Sequence, residues 1–219
     1  MCGIAGIMFK NDSRGFSAGE ALIDMLDGCQ HRGPDSTGFA LYGESDDDSI
    51  LRLRFFVDEG VAQDVVKARV DAALGRQGAT VVKNWFVGSN YCVEVQFSGD
   101  VQTLAYELER NAKVVSIGTS LEIVKDVGGA HDVDDRYDVK SFCGTHGLGH
   151  VRLATESDVR PESAHPFWAT GFGDVAIVHN GQITNYWKMR RRFQQRGFEF
   201  TTDNDSELIA VYLADKLSH

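Results

Sequence analysis

No stretch of the chain approaches the ~20 consecutive apolar residues that a membrane-spanning helix requires. The opening MCGIAGIMFKN also lacks the basic region and the apolar core of a secretory signal. A cytoplasmic protein is expected, with no membrane partner. Basic charge is scarce too: 22 Lys and Arg stand against 32 Asp and Glu, a net charge of −10. That balance speaks against a nucleic-acid surface as the main partner and favours a small molecule or another protein. Cysteine is sparse: Cys2, Cys29, Cys92 and Cys143 lie far apart with no C-x-x-C pair, at too low a density for a disulfide scaffold. The last three read as buried or inert thiols. Internal repeats and low-complexity tracts are absent.

Two patterns that look like ligand sites fail on context. His146 and His150 have a ligand-like spacing, but four residues bring two side chains together on a metal only in a helix, and HGLGH runs into a strand. No metal is expected. Gly171 to Ala176 fits G-x-G-x-x-A, yet it leads into the strand VAIVHN, whereas a nucleotide fingerprint opens a helix. The basic run Lys188, Arg190, Arg191, Arg192 and Arg196 reads as a solvated helix face or a docking surface.

What remains suits one large core, since 42% of the 219 residues are apolar. CGIAGIMF reads as a buried strand, and Ser17 and Glu20 form a capping-box pair ahead of a helix with Leu22, Ile23, Met25 and Leu26 on one face. A second strand follows near Thr37 to Tyr42. From about Ile50 to Val127 the order reads β-α-β-β-α-β, a ferredoxin-like insertion, with SLEIVKDV as a further strand. HDVDDRYDVKS reads as a polar linker. The chain then returns through GLGHVRLAT (strand), DVAIVHNGQI (strand), TNYWKMRRRFQQRG (helix) and NDSELIAVYLADKL (helix capped by Asn204). A single domain is expected over 1–219, with its core in 2–45 and 141–217 and the insertion at about 48–130.

Cys2 can be a small packing residue in the first strand or, once Met1 is removed, a nucleophile that carries its own base. An α-amino group of pKa about 7.7–8.0 is able to take a thiol proton at neutral pH. The motifs CGIAGI, HRGPDSTG, GHVRLAT, VHNG and DNDSE, in that order, resemble the class II glutamine amidotransferases, the N-terminal-nucleophile glutaminase domains. The resemblance covers roughly residues 2–43 and 144–217. GHVRLATES, AHPF, VHNG and TTDNDSELIA look most like the small glutaminase-type subunits of split glutamate synthases and of N-methylglutamate synthase.

The resemblance implies an α+β fold, a four-layer αββα sandwich of two sheets between helices, carrying the inserted module. It also implies roles. Cys2 would form a γ-glutamyl thioester with glutamine, and Asn180 with the Gly181 N–H would bind the oxyanion. Arg152 would fork onto the substrate α-carboxylate, helped by Thr155, and Asp205 would accept from the α-ammonium. His179 would orient Asn180 or sit as a satisfied core residue. Arg32 and Asp35 match a segment near the nucleophile, where a turn-and-salt-bridge role competes with a direct one. Leu153 and Glu156 depart from the residues found in several family members, which leaves the outer wall of the pocket open.

The ammonia would pass to a separate synthase subunit in a hetero-oligomer. This chain needs no cofactor, while the partner would carry FMN and an iron–sulfur cluster. Two other readings stand: a catalytically silent assembly subunit of the same fold, or an N-terminal-nucleophile amidase for another amide.

Overall fold

The computed structural model describes residues 2–10, 17–45, 47–154 and 158–218. In chain order the elements are β1 (Gly3–Met8), α1 (Ala18–Asp27), β2 (Ser36–Tyr42), β3 (Ile50–Phe56), α2 (Gln63–Arg76), β4 (Thr80–Val87) and β5 (Asn90–Gln96). There follow α3 (Val101–Glu109), β6 (Lys113–Gly118), β7 (Leu121–Val127), α4 (Ala130–Tyr137), β8 (His146–Arg152), β9 (Phe167–Trp168), β10 (Ala176–Ile177), α5 (Tyr186–Gln195) and α6 (Glu207–Leu217). The chain is α+β.

The first sheet has the order β1-β8-β2-β7, antiparallel throughout. Strand period divides its residues between two faces. Phe39, Leu41, Val124 and Val151 face α1 and α4, where they meet Leu22, Ile23, Leu26, Val133 and Tyr137. Two glycines of GLG let α1 come close. A Cβ on Gly147 would stand 2.8 Å from Leu22 Cδ1, and one on Gly149 would stand 2.8 Å from Leu26 Cδ1. Leu22 and Leu26 are fully buried as a result, each contributing about 1.5–3 kcal/mol of transfer free energy. Ser17 caps α1, its hydroxyl accepting from Glu20 N at 2.9 Å.

The second sheet, β4-β5-β3-β6, comes from the β-α-β-β-α-β run. Its core joins Val66, Val70 and Leu74 of α2 and Leu104 and Leu108 of α3 to Leu53, Phe55, Tyr91 and Val93, and continues to Ala40, Tyr42, Leu121 and Ile123 of the first sheet. Asp174 ties the layers together: its carboxylate accepts from Thr119 N, Ser120 N and Leu121 N at 3.1, 2.8 and 2.7 Å. The small sheet β9-β10 and the pair α5–α6, packed through Tyr186, Phe193, Leu208 and Val211, complete the molecule.

Three readings change. β7 falls inside the segment counted as insertion, but it pairs with β2 in the first sheet over all seven residues. The stretch expected as a polar linker holds α4, because Val133 and Tyr137, one helical turn apart, are buried among its charges. Asn204 leaves the N-terminus of α6 to Ser206, whose N–H it accepts at 3.0 Å, and Glu207 instead closes the preceding turn through the N–H and hydroxyl groups of Thr201 and Thr202.

Candidate active site

The site gathers at the C-terminal end of β8. Alternation turns His146, Leu148, His150 and Arg152 to the face opposite α1. β1 pairs with β8 as far as Gly3 opposite Val151, so Cys2 comes level with Arg152 one residue further on. Leu153 N donates to Cys2 Sγ at 3.4 Å, and Sγ lies 3.8 Å from Leu153 O. The thiol therefore meets both a backbone donor and a backbone acceptor of the same residue.

Two turns hold the end of β8 in place. Asp35 brackets it, its N–H donating to Arg152 O at 3.1 Å and its Oδ2 accepting from Ala154 N at 2.7 Å. Of the two roles considered for Asp35, the observed contacts are those of a backbone clamp. The turn Gln30–Arg32 leaves Arg32 exposed. Gly33 behind it lies flat on the strand, where a Cβ would come within 2.4 Å of the Val151 carbonyl.

β10 ends at Ile177, short of the strand expected over DVAIVHNGQI, and the irregular segment after it brings His179-Asn180-Gly181 in from the other side. Asn180 Nδ2 donates to Cys2 O at 2.9 Å, so the amide stands beside the thiol's own residue. His179 is fixed twice: Nδ1 meets Ser206 Oγ at 2.9 Å and its carbonyl accepts from His150 Nε2 at 3.1 Å. Its ring lies under Gly181, where a Cβ would be 2.7 Å from Nε2. Asp205 reaches the same loop, Oδ2 accepting from Ile183 N at 2.6 Å. Thr155 and Glu156 lie outside the described residues.

Arg152 is 4% exposed, and Nη1 donates to Asp158 O at 3.2 Å. Burial draws its pKa below the usual value while the charges of Cys2 and Asp35 push it back up. A guanidinium stays charged in this setting. Beneath it lies a layer that sequence reasoning assigned no role. His150 and His165 stack at 4.1 Å, both buried, with no hydrogen-bond partner among the described residues for His150 Nδ1 or for either nitrogen of His165. Burial lowers His150 to about 4 and His165 well below its ordinary value, so both are neutral at pH 7. Because the His179 carbonyl can only accept, His150 carries its proton on Nε2.

Lys125, also unanticipated, is buried and donates to Glu162 O, Ala164 O and Pro166 O at 3.0, 2.8 and 3.1 Å. It thereby fixes the loop that carries His165. Two sequence signals touched this layer: His150, two residues before Arg152 and so on its face of the strand, and His165, which lies in the motif AHPF.

Chemically, the arrangement offers a thiol facing a backbone donor, a side-chain amide next to it, a buried guanidinium and a nearby carboxylate. Among the described residues, no group of three or more His, Cys, Asp or Glu could hold a metal ion. No helix among them is long and apolar enough to cross a membrane.

Residues 150–219 match the family model of a glutamine amidotransferase domain. The whole chain is 37% identical over 225 aligned residues to a Methanothermobacter thermautotrophicus protein named "Putative glutamine amidotransferase", covering 73% of that protein. It is also 34% identical over 223 residues to the glutamine amidotransferase-like protein GlxB of Rhizobium meliloti, again over the whole chain and 71% of the relative. A shorter match, 35% over 103 residues, covers 47% of the chain and 22% of the amidophosphoribosyltransferase of Methanocaldococcus jannaschii.

Proposed function

The chain belongs to the class II glutamine amidotransferases, and from that premise we propose that it is a glutaminase subunit that hydrolyses glutamine through Cys2 and hands the ammonia to a separate synthase subunit of glutamate synthase or N-methylglutamate synthase type. The observation that carries the chemistry is the position of the Cys2 sulfur, 3.4 Å from a backbone N–H, with the Asn180 amide 2.9 Å from the Cys2 carbonyl.

In the proposed reaction, removal of Met1 frees the Cys2 α-amine, which takes the thiol proton. The sulfur attacks the side-chain amide carbon of glutamine. Asn180 turns from Cys2 O to the developing oxyanion together with Gly181 N–H, each such donor being worth about 10²–10³ in kcat. The amine then returns its proton to the departing nitrogen, the C–N bond breaks, and ammonia leaves a γ-glutamyl thioester. Water adds to the thioester and glutamate is released with the sulfur as leaving group. Arg152 and Asp205 read the two ends of the substrate's amino-acid head. Asp35 and His179 act by holding the backbone around them, and Arg32 belongs to the turn that precedes Asp35.

The same reading takes the fold as a four-layer N-terminal-nucleophile sandwich with a ferredoxin-like insertion. The strand order β4-β5-β3-β6 and the helices α1 and α4 under the first sheet support it. The test of the partner is co-purification from the native source. A flavin-containing partner is expected to copurify, and ammonia transfer within that complex is expected to stop on Cys2→Ala while assembly persists. A chain that purifies alone, with full glutaminase activity, contradicts the subunit assignment.

A further inference from the structure

On the face of the second sheet turned away from α2 and α3, strand register builds a row of charges that the proposed reaction does not use. Arg52 of β3 stands opposite Glu94 of β5, and Glu94 stands opposite Lys83 of β4. The row reads cation, anion, cation across three adjacent strands, with the outer two separated by about 10 Å of backbone. The next row holds Arg54, Cys92 and Trp85. This face, Glu122 of β7 in the first sheet and the residues Gly43, Glu44, Phe142, Cys143 and Gly144 line a groove of about 560 Å³, a volume within the usual range for small-molecule sites.

Of the neighbouring charges Arg54 and Glu122 pair with each other, whereas among the described residues neither the row nor the Glu44 carboxylate at the groove's rim makes an ion pair. Arg54 pairs with Glu122 at 3.2 Å and also donates to Asn90 Oδ1 at 3.3 Å. Glu94 makes no ion pair among the described residues, although two cations flank it. Among the described residues, Arg52 donates a single long bond, 3.4 Å to Glu44 O. The Lys83 ammonium lies over the Trp85 ring at 4.7 Å from its centroid, which brings the indole under whatever the cation binds. Gly43 keeps the groove wall thin at Arg52, since a Cβ there would stand 3.1 Å from Nη1.

We propose that this groove is a second small-molecule site that takes an α-amino dicarboxylate, its two carboxylates meeting Arg52 and Lys83 and its ammonium meeting Glu94. A molecule with acid groups at both ends and an amine between complements the row sign for sign. Glutamate, the product of the proposed reaction, has this chemistry. The choice of that probe rests on the proposed function, whereas the groove and its charges do not. Occupation of a site bounded by both sheets would couple product level to the relative position of the layers.

The test is a fluorescence titration of the full chain with L-glutamate, using Trp85→Phe as the blank. The proposal expects a saturable signal from Trp85 that survives Arg152→Gln, so it does not come from the active site. It expects affinity to fall at least about tenfold in both Lys83→Met and Glu94→Gln. Glutarate, which lacks the amine, should bind at least about tenfold more weakly. Absence of a saturable Trp85 signal in the millimolar range overturns the proposal. So does loss of the signal in Arg152→Gln, or equal binding of glutarate. Because binding needs no turnover, failure here leaves the glutaminase assignment to be judged by ammonia release.

Discussion

Replacing Arg152 by lysine separates charge from geometry at the candidate site. Arg152 ends β8 beside Cys2, is 4% exposed, and is anchored through Nη1 to Asp158 O. Lysine keeps the positive charge but offers a point donor in place of the planar fork that suits a carboxylate. The lost charge-assisted bond is worth about 1.5–3 kcal/mol, or roughly 10- to 100-fold in kcat/KM for glutamine. Most of it should appear in KM, because the α-carboxylate is bound alike in ground and transition states. Loss of the bond to Asp158 O should cost stability only ~1 kcal/mol. The assay is ammonia release against glutamine concentration, repeated with 4-aminobutanamide, which lacks the α-carboxylate. On that analogue the variant and the parent should have equal kcat/KM. An equal loss on both substrates would mean that Arg152 supports the scaffold and does not read the substrate.

Two further expectations concern packing and proton linkage. A Cβ on Gly38 would stand 2.0 Å from His165 O and 2.6 Å from Lys125 Cβ, so Gly38→Ala should cost about 3 kcal/mol and lower Tm by roughly 6–12 °C. Gly75→Ala, with nothing within 4 Å of the new methyl, should be neutral or stabilising by up to ~1 kcal/mol; equal Tm values for the two would refute the packing argument. Burial raises the Glu109 carboxyl to about 7, eased only by the Thr170 hydroxyl. Its folded form therefore holds a proton that the unfolded chain gives up near 4.5. This group's contribution is most favourable below pH 4.5 and is eroded as pH rises to about 7, by about 3 kcal/mol at most. Denaturant titrations of Glu109→Gln should lack this part of the slope, and an unchanged slope between pH 5 and 7 would contradict the burial argument.

How much could be read from the residues depended on whether the information was local. The Ser17 cap, the α1 stripe and the element order from β3 to β7 were legible, because capping spacing and hydrophobic period act within a few residues. α4 was not, since Asp132, Asp134, Asp135 and Arg136 hide the two residues that bury it, Val133 and Tyr137. Nor was the partner of β7: its sequence shows a strand, but pairing with β2 is decided by tertiary contact. At the site, the candidate residues followed from motif order, and the structure brings Cys2, Arg152 and Asn180 together. The buried layer of His150, His165 and Lys125 left little trace, because each is placed by what packs on it: a stacked ring, a loop and three carbonyls.

The central claim is that Cys2 reacts as an N-terminal residue. The direct measurement is mass spectrometry, on the intact chain and on its peptides, after treatment with a glutamine-mimicking electrophile such as 6-diazo-5-oxo-L-norleucine. The account predicts loss of Met1 and a single adduct on a peptide that begins at Cys2, formed in step with loss of ammonia release and slowed by glutamine. An active chain that retains Met1, or inactivation with the adduct on Cys29, Cys92 or Cys143, would contradict it.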